Sequence, residues 1–171
     1  MADLPALPSV ESPYQGYHSV SDPDGAFTFD VPDDWVDELP SEGQVISSPD
    51  NNAALGDALI SGVVVSGTQG VGVWDADLFL DTLIESFEDP DDPCTVLKRE
   101  PFVDGPFDGL LYVESCRGGA MLVVDVLVSN PERSAVIFIG AQMTDERDFS
   151  AFEEILDSFT LIDPARLPVA S

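Results

Sequence analysis

The chain has 171 residues and a formal net charge of −27, with 33 Asp and Glu against 6 Lys and Arg. Apolar residues make up 44% and aromatics 9%, which excludes a disordered acidic tail, because such tails lack the bulky groups that offset the cost of chain ordering. The length suits one domain with a real core, the acidity argues against nucleic acid and anionic membrane, whose phosphates it repels, and no apolar run approaches the roughly 18–20 residues of a membrane span.

Residues 1–16, with Pro5, Pro8 and Pro13, read as a flexible lead-in. They carry neither the basic start nor the apolar core of a secretory signal, so export would require a leader removed upstream. A single domain is expected over 17–163. Tyr17 to Ser21 and Ala26 to Val31 read as a hairpin with Asp22-Pro23-Asp24-Gly25 as its turn, since Pro presets φ and Gly accepts a positive one. Phe27, Phe29 and Val31 alternate with Thr28 and Asp30, so one face of that strand is buried. Pro32-Asp33-Asp34-Trp35 stops the strand and predicts one helical turn. Gln44 to Ser48 is a short strand, Asn51 to Ile60 a short helix or a loop, and the β-branched run within Gly62 to Thr68 a buried strand. The glycine-rich Gly67 to Gly72 reads as a flexible loop.

Asp75 to Phe87 has helical periodicity, with Phe79, Leu80, Leu83, Ile84 and Phe87 on one face and Asp77, Asp81, Glu85 and Glu88 on the other. Asp75 is placed to cap it, and Trp74 to staple against Phe79. Four strands follow at Thr95–Phe102, Phe107–Cys116, Ala120–Ser129 and Ser134–Met143. Turns this short make sequential strands antiparallel. A second helix over Asp145 to Ser158 has Thr144 as its expected cap, Asp145 and Glu146 at its positive end, and Phe149, Phe152, Ile155 and Leu156 toward the core. Phe159 to Ile162 returns to the sheet, and 164–171, with Pro164 and Pro168, reads as a frayed tail. This order of elements predicts an α+β fold, an antiparallel sheet flanked by helices as an α/β/α sandwich.

The two cysteines reward a register argument. A hairpin centred on Gly105 sets Cys94 opposite Cys116, Val96 opposite Glu114, Lys98 opposite Tyr112 and Glu100 opposite Leu110. Directly opposed residues at non-hydrogen-bonded sites stand about 4.5 Å apart at Cα, within disulfide reach. A Cys94–Cys116 disulfide implies an extracytoplasmic or secreted protein. Two buried free thiols, and a cytoplasmic location, are the alternative.

Chemistry-bearing patterns are sparse. His18 is the only histidine, and no Gly-x-Ser-x-Gly elbow accompanies it. No phosphate loop ending in Lys and no CxxC or HExxH spacing is present, so no cofactor, catalytic residue or transition metal is expected. Two acidic clusters are weak calcium candidates: Asp22, Asp24 and Asp30 in the first hairpin, and Glu88-Asp89-Pro90-Asp91-Asp92. Neither has an EF-hand pattern, and calcium needs six to eight converging oxygens. The charge is also lopsided, with 20 acids and no Lys or Arg before Lys98, then 13 acids and 6 bases. Asp outnumbers Glu 22 to 11, and Lys occurs once. High-salt solvation, a GC-rich genome and a docking face for a basic partner all fit that balance.

The stretch Ala26-Phe27-Thr28-Phe29-Asp30-Val31-Pro32-Asp33-Asp34-Trp35 resembles the Phe-x-Phe-x-x-Pro-x-x-Trp opening of PsbP-like domains, named after an extrinsic protein of photosystem II. Phe152-Glu153-Glu154-Ile155-Leu156-Asp157-Ser158-Phe159 is similar to that family's closing helix, and the resemblance spans roughly Tyr17 to Ile162. The cysteine pair and Ser21-Asp22-Pro23-Asp24-Gly25 look like exported actinobacterial members. The resemblance implies an antiparallel sheet with flanking helices. Members include photosystem subunits, a nuclear-import factor, lipoproteins and chaperones for secreted effectors, and the family motif brings no catalytic residue, so fold leaves function open. The expected function is a non-enzymatic acidic binding or accessory domain that docks a protein. The alternative is a cytoplasmic effector chaperone or immunity-type protein that neutralises a basic partner.

Overall fold

A computed structural model describes residues 4–10, 12–49, 61–70, 75–87 and 94–169. A three-stranded sheet is formed by β1 (Tyr17–Ser21), β2 (Phe27–Pro32) and β10 (Thr160–Leu161), in the order β1-β2-β10. A seven-stranded sheet contains β3 (Val36–Ser41), β4 (Gln44–Ser48), β5 (Gly62–Gln69), β6 (Thr95–Asp104), β7 (Phe107–Cys116), β8 (Met121–Ser129) and β9 (Ala135–Met143), in the order β3-β4-β5-β9-β8-β7-β6. Among the described residues every strand pair in both sheets is antiparallel. The α-helices among the described residues are α1 (Ala76–Phe87) and α2 (Arg147–Ser158). The α+β architecture expected from the order of elements is the one observed. None of the described helices is long and apolar enough to cross a membrane.

Alternation along β8 shows how the layers form. Leu122, Val124, Val126 and Val128 join Val63, Val65, Val113, Ile137 and Ile139 in one core, closed by Phe27 and Phe29 of β2 and Phe152 and Ile155 of α2. Leu127 points the other way and packs with Leu110, Tyr112 and Val136 beneath Leu80 of α1. Burial of this many Val, Ile, Leu and Phe side chains, each worth about 1.5–3 kcal/mol, is what offsets the cost of ordering the chain.

The first hairpin forms as its turn residues dictate: Gly25 has φ +68°, and Asp22 O accepts from Gly25 N at 3.0 Å. Residues 32–35 do not make a helical turn. Trp35 N donates to Pro32 O at 3.0 Å, a tight turn that leads into β3, a strand the sequence reading missed. Gly67 to Gln69 belong to no loop, because they continue β5 and pair with Ile137, Val136 and Ala135. On α1, Asp75 caps as expected, its Oδ1 accepting from Leu78 N at 3.1 Å. Phe79, expected in the core, is 36% exposed, and Leu80 makes the buried contact. The α2 cap is also different. The Thr144 side chain bonds Ser61, and the Asp148 carboxylate reaches back from the first turn to Thr144 N and Asp145 N at 2.8 and 3.1 Å.

The end segments carry core contacts that Pro content concealed. Leu7 is 3% exposed, and Pro8 O accepts from Glu146 N at 3.1 Å. At the other end Leu167 is 2% exposed, and Val169 bridges Gln69 in parallel. The Trp74 staple, the Asn51 to Ile60 segment and the Glu88 to Asp92 cluster lie outside the described residues.

Candidate functional site

Cys94 and Cys116 stand at disulfide distance, their Cα atoms 4.3 Å apart. The register that brings them there differs from the simple hairpin. Near the turn Asp104 opposes Phe107, so Lys98 faces Val113 rather than Tyr112, and Glu100 faces Leu111 rather than Leu110. A bulge between Val96 and Lys98 then inserts one residue and restores Val96 to Glu114. The Glu114 carboxylate lies within 4.8 Å of both sulfurs. Sulfurs facing each other at bonding distance leave Glu114 as the one ligand of that trio able to meet a cation, so the group forms no metal centre.

The calcium candidates are placed apart. Asp22 is 3% exposed, and its carboxylate accepts from the amides of Asp24 at 3.2 Å, Ala26 at 2.5 Å and Phe27 at 2.9 Å. It therefore anchors its own turn. Asp30 accepts from the Ser19 hydroxyl on β1, and Asp24 is exposed. Their oxygens do not converge into a group of three among the described residues.

His18 joins the two sheets. Its Nε2 lies 2.7 Å from Asp37 Oδ2 on β3, and its Nδ1 lies 3.7 Å from Asp33 Oδ1. Ser47 donates to Asp37 Oδ1 at 2.8 Å, so the serine is oriented by the carboxylate and not by the imidazole. That order is wrong for a nucleophile activated by histidine. Along the β1-β2 and β3-β4 hairpins Asp24, Asp33, Asp34, Glu38 and Glu42 are exposed. Beyond Lys98 the balance differs: Lys98 is held by Glu100, Arg99 by Asp77 and Asp81, Arg133 by Asp108, Arg147 by Asp145 and Arg166 by Asp163.

Two carboxylates escaped the sequence reading. Asp148 is 2% exposed and accepts from Tyr14 Oη at 2.8 Å and Ser61 Oγ at 2.6 Å, besides the two amides of its helix start. Burial, then the Asp148 charge, raises the Tyr14 phenol above its ordinary range, and Arg147 stacks on its ring at 4.8 Å. Four donors satisfy Asp148, which fixes the lead-in segment to α2. Asp125 is the opposite case. It lies on β8 between Tyr112 on β7 and Gly140 on β9, on the face that α1 covers. A side chain at Gly140 would begin 2.7 Å from the Phe138 ring and 2.9 Å from Asp125 Oδ1, so glycine there leaves space shared by the ring and the carboxyl. Burial, then the charge of Glu114, pushes Asp125 up to about 7. Glu114 itself accepts from Tyr112 Oη at 2.7 Å, and burial followed by that bond raises the Tyr112 phenol. The signal for Asp125 was a lone acid within the apolar run Met121–Ser129.

No protein-family model matches the chain, and no curated protein is similar to it in sequence. Solved structures are similar in fold. The Ran-binding protein Mog1p of Saccharomyces cerevisiae aligns with a TM-score of 0.59 at 14% identity, over 89% of this chain and 98% of its own. A mutant form of Mog1 gives 0.57 at 14%, over 88% and 98%. The cyanobacterial PsbP of Synechocystis sp. PCC 6803 gives 0.51 at 14%, over 85% and 92%. With an antiparallel sheet flanked by helices and near-complete coverage of both neighbours, the chain has the PsbP/Mog1-like fold.

Proposed function

We propose that the chain is a non-enzymatic accessory domain that docks a basic protein partner on the acidic surface of its N-terminal hairpins, in an extracytoplasmic compartment. The observation that carries this reading is the excess of exposed acids along β1 to β4, against which the described residues set only His18 and the Arg166 guanidinium at the Asp24 carbonyl. Asp24, Asp33, Asp34, Glu38 and Glu42 are exposed there, in a stretch without Lys or Arg. Such a surface attracts a cationic partner at long range and sets a salt-dependent association rate. The Ran-binding role of the yeast neighbour supports a protein-docking use of this fold by analogy alone. The placement of His18 between two carboxylates supports a role without catalysis.

A cytoplasmic chaperone or immunity-type protein would use the same surface. The Cys94–Cys116 geometry favours the extracytoplasmic reading, because reducing compartments keep thiols unpaired. The test is a pull-down with the native chain and with a variant carrying Asp33→Asn, Asp34→Asn, Glu38→Gln and Glu42→Gln. A basic partner retained by the native chain at low salt, released at high salt and lost in the variant is the expected result. Retention of no partner at any salt, or equal retention by the variant, overturns the proposal.

A further inference from the structure

One row of side chains crosses the α1 face of the seven-stranded sheet. Arg99 on β6 opposes Tyr112 on β7, Tyr112 opposes Asp125 on β8, and Asp125 opposes Gly140 on β9. Helix α1 grips one end of this row: Asp77 and Asp81 each accept from the Arg99 guanidinium at 2.7 Å. Its Leu80 is buried against Leu110, Tyr112 and Leu127. We propose that this row makes α1 a proton-sensitive cover of the sheet, held closed while the Asp125 carboxyl keeps its proton and loosened when that carboxyl ionises.

The groups that face Asp125 decide the direction. From β7 come the Glu114 carboxylate and the Tyr112 phenol, which donates to Glu114 at 2.7 Å and not to Asp125. From β9 come Gly140 and Gln142, which bring no charge. From β6 comes Arg99, two strands away or about 10 Å by strand spacing, already held by Asp77 and Asp81 of α1. No described residue donates a hydrogen bond to Asp125. An ionised Asp125 is therefore a half-buried charge beside a like charge, without a counterion of its own. Opening α1 relieves this by admitting water and releasing Arg99 from the helix.

The sign follows from linkage. A carboxyl whose proton is held more tightly in the closed state, up to about 7 against an ordinary 3.8, contributes closure that is complete below the ordinary value. That contribution is lost as pH rises through the closed-state value, and nothing further is lost above it. Opening then becomes easier by up to about tenfold per pH unit between those limits.

Amide hydrogen exchange on the full chain tests this. The α1 amides, corrected for intrinsic exchange, are compared between about pH 5 and about pH 7.5 in the native chain and in Asp125→Asn. The expected result is an α1 opening constant that rises at least about tenfold in the native chain and stays level in the variant, with β8 amides opening far less than α1 at each pH. A level native profile, an equal rise in Asp125→Asn, or α1 and β8 amides opening with the same free energy overturns the proposal. If Asp125→Asn does not fold, Glu114→Gln decides. Removing the neighbouring charge should move the midpoint of α1 opening to lower pH, and an unmoved midpoint overturns the proposal.

Discussion

Along β8, Leu122, Val124, Val126 and Val128 enter one core, while Val123, Asp125, Leu127 and Ser129 enter the other face. The first face meets Phe27, Phe29, Phe152 and Ile155, aromatic and aliphatic bulk supplied by the small sheet and α2. The second meets α1 through Leu80 and carries Tyr112, Glu114 and Asp125 among its apolar residues. One strand thus serves two faces with different tasks. The sealed face supplies stability, because burial scales with apolar area. The α1 face gives up apolar area for ionisable groups, and its cover responds to solution conditions.

The largest effects should separate the faces directly. Phe29→Ala, at a fully buried position, should lower unfolding stability by about 3–5 kcal/mol in urea titration. Leu80→Ala should cost about 2–3 kcal/mol, because the cavity opens under a single helix that can settle. Equal losses would mean that the two faces contribute alike to stability. Joint replacement Cys94→Ser and Cys116→Ser should cost about 2–3 kcal/mol, since the bridge would close a loop with a sequence separation of 22. Titration of thiols in the denatured, unreduced chain should find none, and two reactive thiols would remove the export argument along with the bridge.

The sealed face was largely legible in the residues, and the α1 face was not. Phe27, Phe29 and Val31 declare their side by alternation, the Val63 to Val65 run declares a buried strand, and the Asp22 to Gly25 turn specifies its hairpin. Strand β3 was hidden because it is an edge. Its side chains are mostly exposed, and Pro40 with an irregular register past Glu38 masks the period while blunting the edge against strand addition. Edge strand β6 uses Pro101, Lys98 and its bulge in the same way. The cysteine alignment was reached through two offsetting departures, a shorter turn than expected and a bulge at Leu97. Asp125 and Glu114 could not be paired from the sequence, because which side of β7 and β8 receives α1 is a property of the assembled layers.

The pH dependence sharpens the contrast at a smaller scale. Asp125→Asn should raise stability at about pH 8 by on the order of 1–3 kcal/mol, with the gain shrinking to nothing near pH 4. The sign is that of an acid titrating higher in the folded state, up to about 7. Its stabilisation is present in acid and lost as pH climbs toward neutrality. Melting temperatures of the two proteins, measured across that range, should converge in acid and diverge above neutrality. Parallel curves would mean that Asp125 is hydrated like a surface carboxylate.

The smallest expected effect concerns Arg99. Its side chain is 33% exposed, and its partners Asp77 and Asp81 are 69% and 55% exposed, so water already solvates much of each charge. Pairs of this kind are worth about 0.2–1 kcal/mol each, and Arg99→Gln should move the global urea midpoint only slightly. Among the described residues the same substitution removes the charged ties between β6 and α1, while Leu80 and its partly buried neighbours Ala76 and Ile84 stay packed. Exchange of α1 amides should therefore quicken several-fold while β8 and β9 keep their protection. A midpoint loss as large as that of Leu80→Ala would make Arg99 part of the cooperative core. An unchanged α1 would mean that its apolar contacts close the cover, with the row beneath it acting through Asp125 and not through the arginine.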